Sequence, residues 1–236
     1  MRSQSLIFFR ESFKDFIRNP ILAIPTAILL IFFTLFSKLS VSVNYKFTQT
    51  PAITAWLVFF VVISLCVMSF LFSSLIGMSK ESIGKKASPR SFLFYGKKFW
   101  TKNFVIIVLI LAVYNAIRFA AHYSAFYIGK AISLDVNAAK ILFFIIFFVG
   151  LAGILIFLAF SSFFLIVYNL SIKQSINSSF SYVSKNYPLV LSLTILFFII
   201  NESLSKINYP LIVDIINSLI IVPYISLIFT RLMYKK

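Results

Sequence analysis

Six acidic residues, one histidine and one cysteine are all that this chain of 236 residues offers to acid–base, thiol or metal chemistry. The single thiol, Cys66, lies inside an apolar run and excludes an internal disulfide or a cysteine-rich metal site. The single imidazole, His122, would leave a zinc site to carboxylates, and no metal-ligand spacing occurs. Six glycines are too few for a phosphate-cradling loop, and neither a dinucleotide fingerprint nor a P-loop is present. Charge is also scarce, at 12% against the roughly 25% usual in soluble domains, while hydrophobic residues reach 61%. That composition leaves too little polar surface for a soluble protein, and it excludes intrinsic disorder and collagen-like or disulfide-stapled classes. Basic residues outnumber acidic ones 22 to 6, for a net charge of +16. In a soluble chain this would point to nucleic acid; in a membrane chain it marks charge sorted across a bilayer. The reading is therefore a single integral membrane domain over residues 1–236, with no nucleic-acid partner, no cofactor and no metal.

A span needs about 20 apolar residues, because roughly 30 Å of hydrocarbon is crossed at about 1.5 Å per residue. Six segments qualify: about 20–36, 52–78, 104–128, 141–168, 188–204 and 210–230. The runs are too long and too uniformly apolar for barrel strands, and backbone groups in lipid must be satisfied within each segment, so helices follow. The expected fold class is an all-α polytopic helical bundle. The first 18 residues are amphipathic and charged, and the apolar run after them is long enough to span, so no cleavable signal peptide is read. Sixteen basic residues fall on one side, including Arg2, Arg10, Lys14, Arg18, seven between Lys80 and Lys102, and Lys173, Lys185, Arg231, Lys235 and Lys236. Five fall on the other: Lys38, Lys46, Lys130, Lys140 and Lys206. This bias places both termini in the cytoplasm of a multi-pass protein of the cell membrane.

Each odd-numbered span is preceded by a basic residue and an asparagine: Arg18-Asn19, Lys102-Asn103 and Lys185-Asn186, at spacings of 84 and 83 residues. Lys80-Glu81-Ser82-Ile83-Gly84 resembles Lys173-Gln174-Ser175-Ile176-Asn177, and Ser12-Phe13 and Ser179-Phe180 precede their asparagines by the same distance. The pattern predicts three units, each an amphipathic helix followed by a two-helix hairpin, related as parallel repeats about an axis along the membrane normal. Basic residues at every cytoplasmic entry and hairpins of similar length would produce the same spacing without repetition. In the first unit Leu6, Phe9, Phe13, Phe16 and Ile17 share a helical face, with Arg10, Lys14 and Arg18 elsewhere. In the third, Ile172, Ile176, Phe180, Val183 and Tyr187 do the same. Ser88-Pro89 reads as N-cap and first helical position of the middle one, which carries Phe92, Tyr95 and Phe99. Such helices either lie at the headgroup boundary, where their basic residues meet anionic lipid, or pack as connectors on the helix ends.

The run Ile176 to Asn186, of the form Ile-x-x-Ser-Phe-x-x-Val-x-Lys-Asn and following Asn169-Leu170-Ser171, leads directly into an apolar segment. Together with Phe13-Lys14-Asp15-Phe16-Ile17-Arg18-Asn19-Pro20 it resembles a broad group of six-helix prokaryotic membrane proteins of unassigned function. That group is similar to the membrane domain of some bacterial glycerophosphodiester phosphodiesterases. The phosphodiesterase chemistry belongs to a separate soluble barrel and does not carry over. The resemblance implies an integral membrane module with no established reaction.

Ionisable residues inside spans are costly and stand as functional candidates. Asn115, Arg118 and His122 form one stripe of the third span; Asp214 and Asn217 share a face of the sixth with Ser218; Glu202 ends the fifth with Asn201. Helical rise puts Arg118, Asp214 and Glu202 all about 21–24 Å above the cytoplasmic boundary. The expectation is an ion pair between Arg118 and Asp214, or else Glu202, in the outer third of the bundle. Pro25 and Pro223 are positioned to kink the first and sixth spans, and Gly150, Ala152 and Gly153 to bring a neighbour close to the fourth. The favoured function is a non-enzymatic scaffold or accessory subunit in membrane or lipid homeostasis. Its expected partners are the bilayer, anionic headgroups at the cytoplasmic face, and a membrane protein or a second copy. The alternative is a small transporter or permease component using the polar cluster. A lipid-directed enzyme is disfavoured, because Ser124 is two residues from His122 and cannot face it on one helix.

Overall fold

The computed structural model describes residues 2–46, 51–133 and 135–234, and every regular element among them is helical. Lys235 and Lys236 lie outside the described residues, as do the side chains of Arg2, Leu6, Lys38 and Lys46. Helix α1 (Arg2–Arg18) is followed by a 3-10 turn (Pro20–Leu22) and α2 (Ala23–Lys46). Next come α3 (Pro51–Ser82) and α4 (Pro89–Ala131). The fourth span is α5 (Val136–Gly150), a π-helical turn (Leu151–Leu155), α6 (Ile156–Ala159) and α7 (Ser161–Val167). Helix α8 (Ile172–Ser205) precedes the sixth span, which is α9 (Pro210–Ile216), a second π-helical turn (Asn217–Ile221) and α10 (Val222–Tyr234). Five of these helical segments are long and apolar enough to cross a bilayer, and the bent pair Phe8–Arg18 and Pro20–Phe36 brings the number to six. The protein is thus an all-α, multi-pass helical bundle.

Local chemistry sets the boundaries. Ser88 caps α4 by accepting from the Arg90 amide ahead of Pro89, as the sequence predicts. Asp135 caps α5 through the Ala138 amide, and Ser171 with Gln174 forms a capping box at the start of α8. The three asparagines behave differently. At Asn19 the chain turns by 89° between α1 and the first span. At Asn186 α8 is kinked through a non-helical backbone. At Asn103 α4 runs straight on, so the separate middle helix expected from the sequence is instead one rod of 43 residues, about 65 Å long. Proline accounts for the difference. Pro20 follows Asn19 and Pro188 lies two residues past Asn186, each lacking an N–H and clashing with the carbonyl four residues back, whereas no proline follows Asn103. Pro25 stands in the first turn of α2, where a proline is accommodated, and the first span is not broken there. Pro223 stands in the first turn of α10, one residue past the second π turn, and α10 continues from it without a separate break. Of the glycines expected to admit a neighbour, Gly150 does: a Cβ there would lie 2.6 Å from Ile117 Cγ2. Gly153 faces open space.

Three triads fall on the bundle-facing side at the repeat spacing: Ser12, Asp15 and Asn19; Gly96, Phe99 and Asn103; Ser179, Tyr182 and Asn186. All are buried except the half-buried Asn186, and the intervening Arg18, Lys102 and Lys185 are exposed. Each triad rests on the second span of the unit before it. The site of Gly96 touches Phe70 and Ser74 of α3. Ser179 donates to the Phe157 carbonyl of α6. Helix α1, which has no unit before it, packs on α10 and closes a ring. Inside the ring the three second spans touch one another, α3 against α7 and α10, and α7 against α10. Small hydroxylic residues allow that approach: Ser79 of α3 and Ser226 of α10 share a 3.1 Å hydrogen bond, Thr230 donates to the Ser226 carbonyl, and Ser161 and Ser162 are buried at the start of α7.

Candidate functional site

Where α1 crosses α10, burial would strand any charge without a partner. Arg231, 9% exposed, lies in the last turn of α10 and sends its two terminal nitrogens to different carboxylates, Glu11 and Asp15. The guanidinium fork suits this division, which an ammonium would not reproduce. Asp15 also accepts from the Gly84 amide at 3.3 Å. Gly84 holds a left-handed backbone (φ 76°), and that turns its N–H toward the carboxylate. Asn19 ties the same loop down: Nδ2 donates to the carbonyls of Asp15 (2.8 Å) and Lys85 (3.2 Å), and Oδ1 accepts from the Ala87 amide (2.7 Å). Tyr224 completes the joint. Its hydroxyl donates to the Phe9 carbonyl at 3.1 Å, and its ring meets Phe13 and Phe16 edge-on. Removing the Asn19 amide leaves the buried Ala87 N–H unpaired. Asn19→Ala is expected to cost about 1–3 kcal/mol and to speed hydrogen exchange at Ala87, read by mass spectrometry in detergent micelles.

Further polar contacts hold this end together. Lys80 donates to the terminal carbonyl of Val167 at 2.7 Å, placing a cation at a helix C-terminus. Glu81 accepts from Ser91, linking α3 to the first turn of α4. Tyr168 donates to the Met233 carbonyl.

The six polar residues proposed from the sequence are not brought into one cluster. Among the described residues Arg118 forms no ion pair with Asp214 or Glu202, and all three are exposed. Helical rise estimated their depths, but depth does not say which spans are neighbours. The ring sets α4 chiefly against α3 and α5, and α9 against α2 and α8. Asn115 bonds back to the Leu111 carbonyl of its own helix at 2.9 Å. Asn217 stands in the second π turn, its Oδ1 buried without a partner. His122 is exposed and meets Tyr123 and Phe143 edge-on. It lines an open groove of about 720 Å³ where α4 and α5 diverge, together with Lys130, Lys140, Phe126 and Phe143.

Glu11, Asp15 and Arg231 escaped the sequence reading as a site, although one signal was present. Ser12, Asp15 and Asn19 form a polar stripe at i, i+3, i+7, beside the apolar face that α1 had been assigned. The acidic residues then divide by role. Glu11, Asp15 and Glu81 bind at the basic end, Asp135 caps a helix, and Glu202 and Asp214 remain exposed. No protein family, curated protein or solved structure matches the chain.

Proposed function

We propose that the chain is a non-enzymatic multi-pass membrane protein, a scaffold or accessory subunit in membrane or lipid homeostasis. Its basic end lies in the headgroup layer of the cytoplasmic leaflet, with both termini in the cytoplasm. One observation carries this reading: the outer surface of α1. With its polar stripe turned into the bundle, α1 leaves Phe13 53% and Ile17 63% exposed. The exposed cations Arg10, Lys14 and Arg18 run alongside them. A helix at 89° to the span behind it, apolar outward and basic along one flank, suits the acyl–headgroup boundary. Phe180, 41% exposed beside the buried Ser179, repeats the pattern in α8. Each basic residue near an anionic surface contributes about 1 kcal/mol.

A tryptophan at position 13 tests the placement. In vesicles containing phosphatidylglycerol, Phe13→Trp fluorescence, in a background with Trp56→Phe and Trp100→Phe, is expected to be quenched by lipids brominated near the headgroup, and little by a water-soluble quencher. Strong aqueous quenching would overturn the reading. Cysteine labelling at Lys14→Cys, in a Cys66→Ala background, is expected only from the cytoplasmic side of cells. A transporter reading draws on the His122 groove and on the π turns in the fourth and sixth spans. It expects substrate uptake that His122→Ala abolishes.

A further inference from the structure

Beyond the ring closure, α8 and the sixth span stand apart. They meet chiefly through α9, and between α8 and α10 lies a slot of about 290 Å³. Leu193 to Ile200 form one wall, Ile220 to Phe229 the other, and Phe9 of α1 lies at the slot as well. The lining is almost wholly apolar, so an aqueous solute finds no partner in it. By helical rise the walls run about 10–13 Å, against roughly 15 Å for the hydrocarbon of one leaflet. A groove of that length between two spans, without polar partners along it, suits an extended hydrocarbon chain.

The headgroup end is also present. Phe9 lies in α1, at the basic end, and is followed by the exposed Arg10, with Lys14 one turn further on. Tyr224 lines the slot midway along its wall and donates to the Phe9 carbonyl, which holds α1 against the slot. We propose that the slot holds one acyl chain of an anionic glycerophospholipid, whose phosphate is met by Arg10 and Lys14. The proposal rests on the placement of α1 in the headgroup layer argued above. It adds a defined lipid site to that placement.

Native mass spectrometry of the delipidated full chain, titrated with phosphatidylglycerol or phosphatidylcholine, tests it. The wild type is expected to retain one phosphatidylglycerol at collision energies that strip phosphatidylcholine. Leu196→Trp, which fills the slot from a half-exposed position, is expected to reduce that retention about tenfold. Arg10→Gln with Lys14→Gln is expected to erase the preference for phosphatidylglycerol while a lipid still binds. Ile200→Trp fills the far end and serves if Leu196→Trp melts early. Wild-type retention in both filled variants, or equal retention of the two lipids by the wild type, would overturn the proposal. Quenching of Phe13→Trp separates the two claims. Brominated-lipid quenching with unaltered retention in Leu196→Trp removes the slot and keeps the placement. Aqueous quenching removes the placement, and with it the headgroup contact.

Discussion

Replacing Arg231 with alanine is expected to cost about 3 kcal/mol of stability, because it leaves the buried Asp15 with only the exposed Arg18, 3.9 Å away, as counter-charge. The Asp15 side chain is 7% exposed and that of Arg231 11%, whereas Glu11 is 43% exposed and can turn to water. The loss therefore falls on the Arg231–Asp15 contact. Glu11→Gln is expected to cost under about 1 kcal/mol, in the range of exposed pairs. Arg231→Lys keeps the charge but not the fork and is expected to fall between. The double variant Arg231→Met with Asp15→Leu removes both charges at once and is expected to recover most of the loss, as apolar replacements of buried pairs do. Unfolding free energies in bicelles check the series. A double variant no better than Arg231→Ala would show that packing of α1, and not the charge, holds the joint.

The second large effect is expected where α3 and α4 cross. A Cβ on Gly77 would overlap the Cβ and Cγ of Tyr95, atoms too close to the backbone for the ring to swing clear. Gly77→Ala is expected to destabilise by about 1–3 kcal/mol through the forced separation of two helices. At Gly153, with nothing within 4 Å of the added atom, the same substitution is expected to stabilise by about 0.5–1 kcal/mol, since alanine loses less backbone entropy in a helix. One substitution with opposite signs at two glycines, measured by the same unfolding assay, tests whether close approach or propensity governs. Two effects of the same sign would refute the geometry.

The fold was legible because a bilayer tolerates few solutions. Apolar runs of span length, between charged and proline-bearing breaks, leave helices as the answer, and the repeat located the turn at Asn19 and the kink at Asn186, though not a break at Asn103, where α4 continues. The positions of the breaks within spans were less legible. Nothing in Leu151–Leu155 or Asn217–Ile221 marks a π turn, because hydropathy reports burial and not hydrogen-bond register. The charged site was misplaced for a geometric reason. Rise along a helix fixes depth, and on depth Arg118 and Asp214 match; which helices stand side by side is a property of the ring. The pair that formed, Arg231 with Asp15, joins residues 216 positions apart, and no local spacing announces it.

That separation has a consequence for biogenesis. At synthesis rates of about 5–20 residues per second, Asp15 emerges on the order of ten to forty seconds before Arg231 exists. Throughout that interval its carboxylate must stay hydrated or be shielded by the insertion machinery. The earlier hairpins can enter the bilayer one after another, but the first helix can seat only when the final one arrives. A ribosome stalled before position 231 would therefore hold a nascent chain whose leading helix is still undocked, a form that quality-control proteases can recognise.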